Sequence, residues 1–412
     1  MINRLFTLPI TIERLRQGPL EKYLDAYAAV VGEQGFAPNS IRSQIVLIAD
    51  LSQWLQQKRI AASSLDRKVL DRFLKERERE VGIQRSDDRT LNRLLALLRQ
   101  RGIVKPDLER SVETPQQRVI NGFRQYLLQE RRLSLSTPHN YLRFIDQFLS
   151  ERFSGKVLQL SAIRAADVTD FVRRHAHEWS PGRAALMVTA LRSFFRYLLY
   201  RGDVTTDLAA CVPAVPRWSF SSLPKFLSAD SVKRVLDGCD RQTSIGRRNY
   251  AILLLLARLG LRACEVVGLN LEDIDWQEGL IAIRGKGGKS ARLPLPVDVG
   301  EAIAAYLRHD RPRCSVRRVF IRHRAPLGGL QNSQAICCLV MRALKRAGIV
   351  SPHKGAHVFR HSLATNLLRE GCSLDEIGEL LRHQSPNTTA IYAKVDLGAL
   401  RTLALPWPGG GR

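Results

Sequence analysis

Apolar residues recur at three- and four-residue intervals through most of the first 210 positions. Ile41, Ile45, Ile48 and Leu51 form one such series. This spacing places apolar side chains along one face of a helix. We therefore predict that residues 1–210 are mostly helical.

The two halves of this helical region resemble each other. In the first, a helix ending at Trp54-Leu55 is followed by SLDRKVLDRFL and LNRLLALLRQRG. In the second, a helix ending at Phe148-Leu149 is followed by AIRAADVTDFV and ALRSFFRYLLYRG. The spacing between matched positions drifts only from about 94 to about 100 residues. The pattern indicates two tandem helical modules, and chance similarity between amphipathic helices is the alternative explanation.

The pattern changes after three prolines, Pro213, Pro216 and Pro224, which interrupt the helical periodicity. A helix is predicted to start near Ser228, and the apolar run from Ala251 to Leu256 indicates a buried helix. The segment LIAIRGKGGKSARLPL then alternates between apolar and polar residues, which predicts two strands joined by a glycine-rich turn. Helical periodicity returns after it. The predicted fold class is mainly α with a small antiparallel β-hairpin or sheet.

These changes in pattern divide the chain into five segments. We predict an N-terminal helical module, a second helical module, a linker, a mixed domain and a C-terminal tail, at residues 1–110, 112–215, 216–227, 228–398 and 399–412.

Charge adds a candidate partner to this outline. The 412 residues include 64 Lys plus Arg against 39 Asp plus Glu, a formal net charge of +25, while 45% of the residues are hydrophobic. The chain is therefore a folded protein rather than a basic disordered tail. Residues 1–110, 111–223 and 224–412 carry net charges of +6, +6 and +13, so the excess runs throughout. Such a field favours an extended polyanion, and nucleic acid is the leading partner.

Other classes of protein fit less well. The run from Ala251 to Leu256 is far shorter than the roughly 18 residues that span a bilayer, and the N-terminal segment has no signal-peptide pattern. Seven cysteines without a CxxC pair argue against a disulfide framework or a zinc site, and we expect them to be buried small hydrophobes. The predicted location is the cytoplasm, in association with the nucleoid.

Four local motifs follow the linker, and each is weak alone. They are LGLRACEVVGL around Arg262, RGKGGKSARLPLP around Lys286, HVFRHSLATNLL with His357 and Arg360, and LLRHQSPNTTAIYAKV with His383 and Tyr392. In this order the motifs resemble the tyrosine recombinase (phage integrase) family. The resemblance covers about residues 112–398, and residues 1–110 lie outside the family's minimal architecture.

The resemblance implies a catalytic set and a reaction. The set is Arg262, Lys286, His357, Arg360, His383 and Tyr392. Tyr392 is the implied nucleophile, which forms a 3′-phosphotyrosine and releases a 5′-hydroxyl that Lys286 protonates. No metal, ATP or other cofactor is implied. The implied partner is double-stranded DNA, clamped between two domains, with a homotetrameric synapse on DNA and partner recombinases as a further possibility.

The chemistry of these residue types supports the same roles. Cleaving a phosphodiester without metal requires a nucleophile, an acid for the leaving oxygen and cationic donors for the non-bridging oxygens. Arg262 and Arg360 present planar forks that bind phosphate bidentately. Arg262 directly follows an apolar helix, so we expect Glu265, three residues on, to be its ion-pair partner with a structural role.

Three further residues have open or supporting roles. Lys289 is either a phosphate contact or, if the hairpin register differs, the acid itself. His357 and His383 can donate hydrogen bonds to the phosphate, and His357 can also help to move the Tyr392 proton. His361 shares a helix face with His357. Arg382 stands where the family usually has Gly, and we expect it to add a donor near the site or a further backbone contact without abolishing activity.

Two other kinds of site are rejected on the residues. A zinc site of the HExxH type lacks its glutamate, since Val358 stands there. A P-loop lacks its first glycine, since Ile283 stands there, and LPLP instead of a helix follows the GKS sequence.

The predicted function is that of a site-specific DNA recombinase or integrase that integrates, excises or transposes a mobile element. The N-terminal module resembles arm-binding or additional helical domains of mobile-element integrases. The alternatives are a non-catalytic DNA-binding or regulatory protein with the integrase fold, and a type IB topoisomerase. The intact six-residue set argues against mere binding.

Overall fold

A computed structural model describes residues 1–80, 82, 84, 86–105, 113–216, 224–285, 290–351 and 355–395. Helices dominate this part of the chain, and three short strands form one antiparallel sheet in the order β1-β2-β3. The predicted fold class is confirmed. Most of the predicted linker and the whole C-terminal tail lie outside the described residues.

The first module comprises residues 1–105. Its helices are α1 (Ile2–Leu5), α2 (Pro9–Leu15), α3 (Glu21–Glu33), α4 (Pro38–Gln57), α5 (Arg67–Glu80) and α6 (Asp87–Gln100). A 3₁₀ helix, Ala62–Ser64, connects α4 to α5. The apolar faces of these helices meet in a core of their own that includes Tyr27, Ile48, Leu70 and Leu94.

The second module comprises residues 113–216. Its helices are α7 (Pro115–Gln125), α8 (Ser136–Arg152), α9 (Ala165–Glu178) and α10 (Pro181–Arg201). A π-helix, Tyr126–Glu130, continues α7, and a 3₁₀ helix, Leu160–Ala162, precedes α9. Aromatic side chains fill its core, since Phe148 contacts both Phe171 and Phe195 edge to face.

The C-terminal region comprises residues 224–395. Its elements are α11 (Ala229–Asp237), α12 (Ser244–Leu259), α13 (Ala263–Gly268), β1 (Ile274–Asp275), β2 (Leu280–Arg284), β3 (Ser290–Pro294), α14 (Val297–His309), α15 (Ser333–Arg346), α16 (His357–Arg369), α17 (Leu374–Leu380) and α18 (Pro386–Thr389), followed by a 3₁₀ helix, Ala390–Val395. The predicted buried helix is α12, in which every residue from Ala251 to Leu256 is buried. Ser228 caps α11 through its hydroxyl, as its position predicted.

The predicted hairpin is present as β2 and β3. Ile281 pairs with Leu293 and Arg284 pairs with Ser290, which places the glycine-rich segment between the two strands. The third strand, β1, was not predicted because two residues are too short to show alternation.

Residues Met1–Pro106 and Ser222–Arg412 form one compact unit, and Asp107–Ser221 form the other. Within the first unit, the backbone N–H of Leu327 donates to the carbonyl of Gln34 at 2.7 Å. The first module and the C-terminal region nevertheless have separate apolar cores.

The expectation for the cysteines was wrong. Only Cys239 is buried, Cys264 is exposed, and the other five are partly exposed. Cys211, Cys314 and Cys372 lie in connecting segments, and Cys337 and Cys338 lie within α15 at positions that its neighbours cover only in part. Among the described residues, no group of three or more His, Cys, Asp or Glu side chains is arranged for a metal ion, and no helix has the length and apolar character needed to cross a membrane.

Candidate active site

Arg262 lies at the start of α13 and is fixed by Glu265 one turn later. The Glu265 carboxylate accepts hydrogen bonds from the Arg262 backbone N–H at 2.8 Å and from its Nη1 at 2.9 Å. The predicted ion pair is therefore present. The Glu265 side chain is fully buried while that of Arg262 is 29% exposed, so the pair leaves part of the guanidinium accessible.

Arg360 lies on α16 and is buried. Its Nη1 donates to the Gly260 carbonyl at 2.6 Å, and its Nη2 donates to the Leu381 carbonyl. Burial, and after it the charges of Arg262 and Arg382, lower the pKa of Arg360 to about 10. The Arg360 side chain therefore remains charged at neutral pH, although the guanidinium groups of Arg262 and Arg382 are close to it.

Gly260 makes this arrangement possible. Its φ of +55° lies in the left-handed region, and a Cβ added there would approach Leu381 Cδ2 to 2.7 Å and Leu363 Cδ2 to 3.1 Å. Sequence reasoning did not single out Gly260, although a glycine directly after a long apolar helix is a signal for a left-handed helix end.

Replacing Gly260 with alanine is expected to lower both stability and cleavage. The left-handed backbone costs a non-glycine residue about 1–2 kcal/mol, and the clash with Leu381 displaces the carbonyl that anchors Arg360. Thermal unfolding and DNA cleavage rates measure the two effects. The matched control is Gly279→Ala, because Gly279 has a φ of +62° with open space around it. Equal cleavage by the two variants would contradict this role for Gly260.

Arg382 occupies a backbone conformation that favours glycine, with a φ of +54°. Its Nη2 donates to Glu265 at 3.0 Å, and its Nη1 donates to the Leu380 carbonyl at 3.2 Å. One buried carboxylate therefore joins two arginines, Arg262 and Arg382. Burial lowers the pKa of Arg382, and Glu265 opposes that shift. With Arg360 beside them, the cluster has more positive than negative charge, which suits an anion.

Tyr392 lies in the 3₁₀ helix after α18 and is 1% exposed. Its ring packs with Ile377 and Leu381 in a small core. The hydroxyl is 2.9 Å from His361 Nδ1. Burial raises the pKa of Tyr392 to about 12, and the charge of Arg360 opposes this shift. The sequence pointed to His357 as a proton carrier for this tyrosine, whereas the hydrogen-bond partner of the hydroxyl is His361.

His383 lies between α17 and α18, and its Nδ1 is 2.7 Å from Thr389 Oγ1. Burial lowers the pKa of His383 to about 4, and the charges of Arg360, Arg262, His361 and Arg382 add to the shift. The ring is therefore neutral at pH 7, with one nitrogen as donor and the other as acceptor. A role for Thr389 was not predicted, because its side chain contacts His383 only when the residues between them fold into α18.

The pKa of His383 predicts how stability depends on pH. The unfolded chain binds a proton at this histidine below a pH of about 6.5, whereas the folded chain does so only below about 4. The free energy of unfolding should therefore decrease as the pH falls through this window. Urea unfolding should show a weaker pH dependence for His383→Gln than for the wild type. Parallel curves for the two proteins would contradict the assignment.

Three predicted residues remain: His357, Lys286 and Lys289. His357 is the first residue of α16 and is exposed. Lys286 and Lys289 lie outside the described residues, between the ends of β2 and β3.

The residues brought together come from four separate segments of the C-terminal region. Arg262 and Arg382 bind the Glu265 carboxylate, and the charge of Arg360 beside them acts on both His383 and Tyr392. Such a site is typical of enzymes that stabilise charge on a phosphoryl group.

Comparisons with known proteins identify the class. The model of the phage integrase family matches residues 225–397, and that of the phage integrase N-terminal SAM-like domain matches residues 120–202. A protein of Sinorhizobium fredii named as an integrase/recombinase, y4rA, is 47% identical over 400 residues, which cover 97% of each chain. The tyrosine recombinase XerD of Listeria innocua is 33% identical over 286 residues, 67% of this chain and 94% of XerD.

Solved structures share the fold. XerH bound to palindromic difH substrate has a TM-score of 0.55 at 22% identity, covering 69% of this chain and 83% of that chain. A lambda integrase dimer bound to a COC′ core site has a TM-score of 0.52 at 18% identity, covering 68% and 96%. The chain belongs to the phage integrase family of tyrosine recombinases, which cleave and rejoin DNA.

Proposed function

We propose that this protein carries out site-specific recombination of duplex DNA through a covalent bond to Tyr392. The observation that carries the proposal is the placement of the Tyr392 hydroxyl against His361, under the influence of a buried arginine, Arg360. Any buried tyrosine needs a hydrogen-bond partner, and what distinguishes Tyr392 is that its partner is a histidine, a side chain that can take up the phenol proton.

In the proposed step, the Tyr392 oxygen attacks the phosphorus of the scissile phosphodiester. A bond from this oxygen to phosphorus forms, the bond to the 5′-oxygen breaks, and the product is a 3′-phosphotyrosine. The phenol proton passes to His361 or His357, and the departing 5′-oxygen takes a proton from Lys286 or Lys289. Because the phosphodiester energy is retained, a 5′-hydroxyl from another strand reverses the step without ATP.

Arg262 and Arg360 are proposed to bind the non-bridging oxygens, and neutral His383 to donate one further hydrogen bond. Glu265 acts as a positioning residue, since its carboxylate fixes Arg262 at two atoms. Arg382 shares that carboxylate and adds positive charge to the same cluster. We infer that it supports phosphate binding from the position where relatives usually have glycine.

The burial of Tyr392 implies an activation step. At 1% exposure the hydroxyl does not reach a duplex on the protein surface, so the segment from α18 to Val395 must move when DNA binds. Movement also removes the burial that raises the pKa of the phenol, which favours loss of its proton.

We propose that the second module and the C-terminal region are the two DNA-binding domains of a clamp, separated by the linker at residues 216–227. The proposed active form is a homotetramer on two DNA sites. The likeness over 97% of both chains to y4rA, which is named as an integrase/recombinase, favours an integrase, and we propose that it acts on a mobile element in association with the nucleoid.

A strand-exchange assay tests this function. Two plasmid-borne copies of the DNA flanking the gene are incubated with purified protein, and the products are scored for recombinants and for relaxation. Recombinants are expected. Relaxation alone would favour a topoisomerase, and binding without either product would favour a regulatory protein or one that needs a partner recombinase.

A further inference from the structure

From α3 onward, the order of elements in the first module repeats that of the second module, apart from the π-helix after α7. In each, a helix is followed by a long helix, a three-residue 3₁₀ helix, a helix of 14 residues and a final helix. The two 14-residue helices, α5 and α9, begin 98 residues apart, as do the two 3₁₀ helices, Ala62–Ser64 and Leu160–Ala162.

The buried positions repeat in the same register. Three apolar residues of α5 and three of α9 coincide at an offset of 98: Leu70, Phe73 and Leu74, and Val168, Phe171 and Val172. In the final helices the offset is 100, and all five buried positions from Leu91 to Leu98 recur from Leu191 to Leu198. Each module thus packs the same side of each helix against its core.

The match continues past the helices. Gly102 and Gly202, again 100 residues apart, both have left-handed φ angles, of +70° and +74°. Val104 and Val204 are both buried after them. Amphipathic periodicity explains matching buried positions within one helix. It does not explain why both modules have the 3₁₀ helix, the spacing between helices, the glycine at the end of the last helix and the buried valine in the same order.

Only the second module is matched by the SAM-like domain model, over residues 120–202. We propose that residues 1–105 form a second SAM-like domain and that this domain binds duplex DNA outside the core site. The proposal rests on the proposed function, because it extends the DNA-binding role of the second module to its copy.

The charges of the first module fit this ligand. From Arg89 to Lys105 the chain has five basic residues and no carboxylate, and α10 likewise has four arginines and no carboxylate. Arg89, Arg101 and Lys105 are exposed. Arg89 and Arg101 are separated by about 18 Å of helix, a span that reaches several phosphates of a duplex. The two carboxylates of α6, Asp87 and Asp88, lie in its first turn, so the rest of the helix and the segment after it offer cations to a polyanion without an intervening acidic residue in the sequence.

Salt-dependent binding tests the proposal in the full-length chain. The variant Arg89→Ala/Arg101→Ala/Lys105→Ala is compared with a control of equal charge, Lys22→Ala/Lys75→Ala/Arg79→Ala, whose three exposed cations lie on α3 and α5. The probe is a random-sequence duplex several helical turns long. Each lost phosphate contact lowers the slope of log affinity against log salt by about 0.9, so the first variant should lose up to about 2.7 and the control close to none.

The outcome separates this proposal from the proposed function. Equal slopes for the first variant and the wild type, with equal melting temperatures, would overturn DNA binding by the first module. Covalent cleavage of DNA is scored in the same preparations and should be unchanged, since neither set of residues lies in the active site. If the first variant has a lower slope but the wild type forms no covalent complex with DNA, the proposed function is overturned and DNA binding by the first module stands.

Discussion

Replacing Tyr392 with phenylalanine is expected to abolish covalent attachment to DNA while DNA binding stays nearly intact. The substitution keeps the ring that packs with Ile377 and Leu381 and removes only the oxygen that attacks phosphorus. Loss of the hydrogen bond to His361 should cost about 0.5–1.5 kcal/mol of stability. SDS-resistant complexes measure the attachment, and gel shift measures the binding.

Tyr306 provides a matched control for this variant. It is fully buried in the same region, and its hydroxyl accepts a hydrogen bond from the Ile321 backbone N–H at 3.2 Å. Tyr306→Phe therefore removes an equivalent buried hydrogen bond but no nucleophile, and its covalent complexes should match those of the wild type. Covalent complexes formed by Tyr392→Phe would show that another residue is the nucleophile.

Replacing Arg360 with alanine is expected to slow cleavage by at least ~100-fold, the effect of losing a donor to developing charge. The guanidinium also links the carbonyls of Gly260 and Leu381, so part of the loss comes from less precise positioning of the site. Single-turnover cleavage at saturating protein measures the chemical step. Arg360→Lys should restore charge without the bidentate geometry and recover only part of the rate.

Arg248 provides a control that distinguishes a loss of catalysis from a loss of stability. It is a partly buried arginine of the same region, and its Nη1 donates to the Ile321 carbonyl at 3.0 Å. Arg248→Ala should lower the melting temperature while leaving the cleavage rate of the folded protein close to that of the wild type. Cleavage by Arg360→Ala at the rate of Arg248→Ala would place Arg360 outside the site.

Much of the fold followed from periodicity. The helix containing Ala251 to Leu256, the cap at Ser228 and the β2-β3 hairpin were predicted because each depends on local spacing. The ion pair between Arg262 and Glu265 was predictable for the same reason, since its partners are one helical turn apart.

Other features depend on contacts between distant segments, which one sequence does not reveal. Arg382 and Glu265 are 117 positions apart, and the sequence left open whether Arg382 faced the site or the backbone. The structure places it on both, at Glu265 and at the Leu380 carbonyl. The hydrogen bond between His361 and Tyr392 likewise joins two elements, and the sequence analysis gave the proton-transfer role to His357.

The central claim is that Tyr392 forms a covalent bond to DNA without a metal ion. Covalent trapping tests it most directly: wild type and Tyr392→Phe are incubated in EDTA with nicked suicide substrates cut from the DNA that flanks the gene. SDS-resistant complexes formed by the wild type alone, with the adduct mapped to Tyr392, are the predicted result. No complex from a wild type that binds the same DNA tightly, or an adduct on another residue, would contradict the claim.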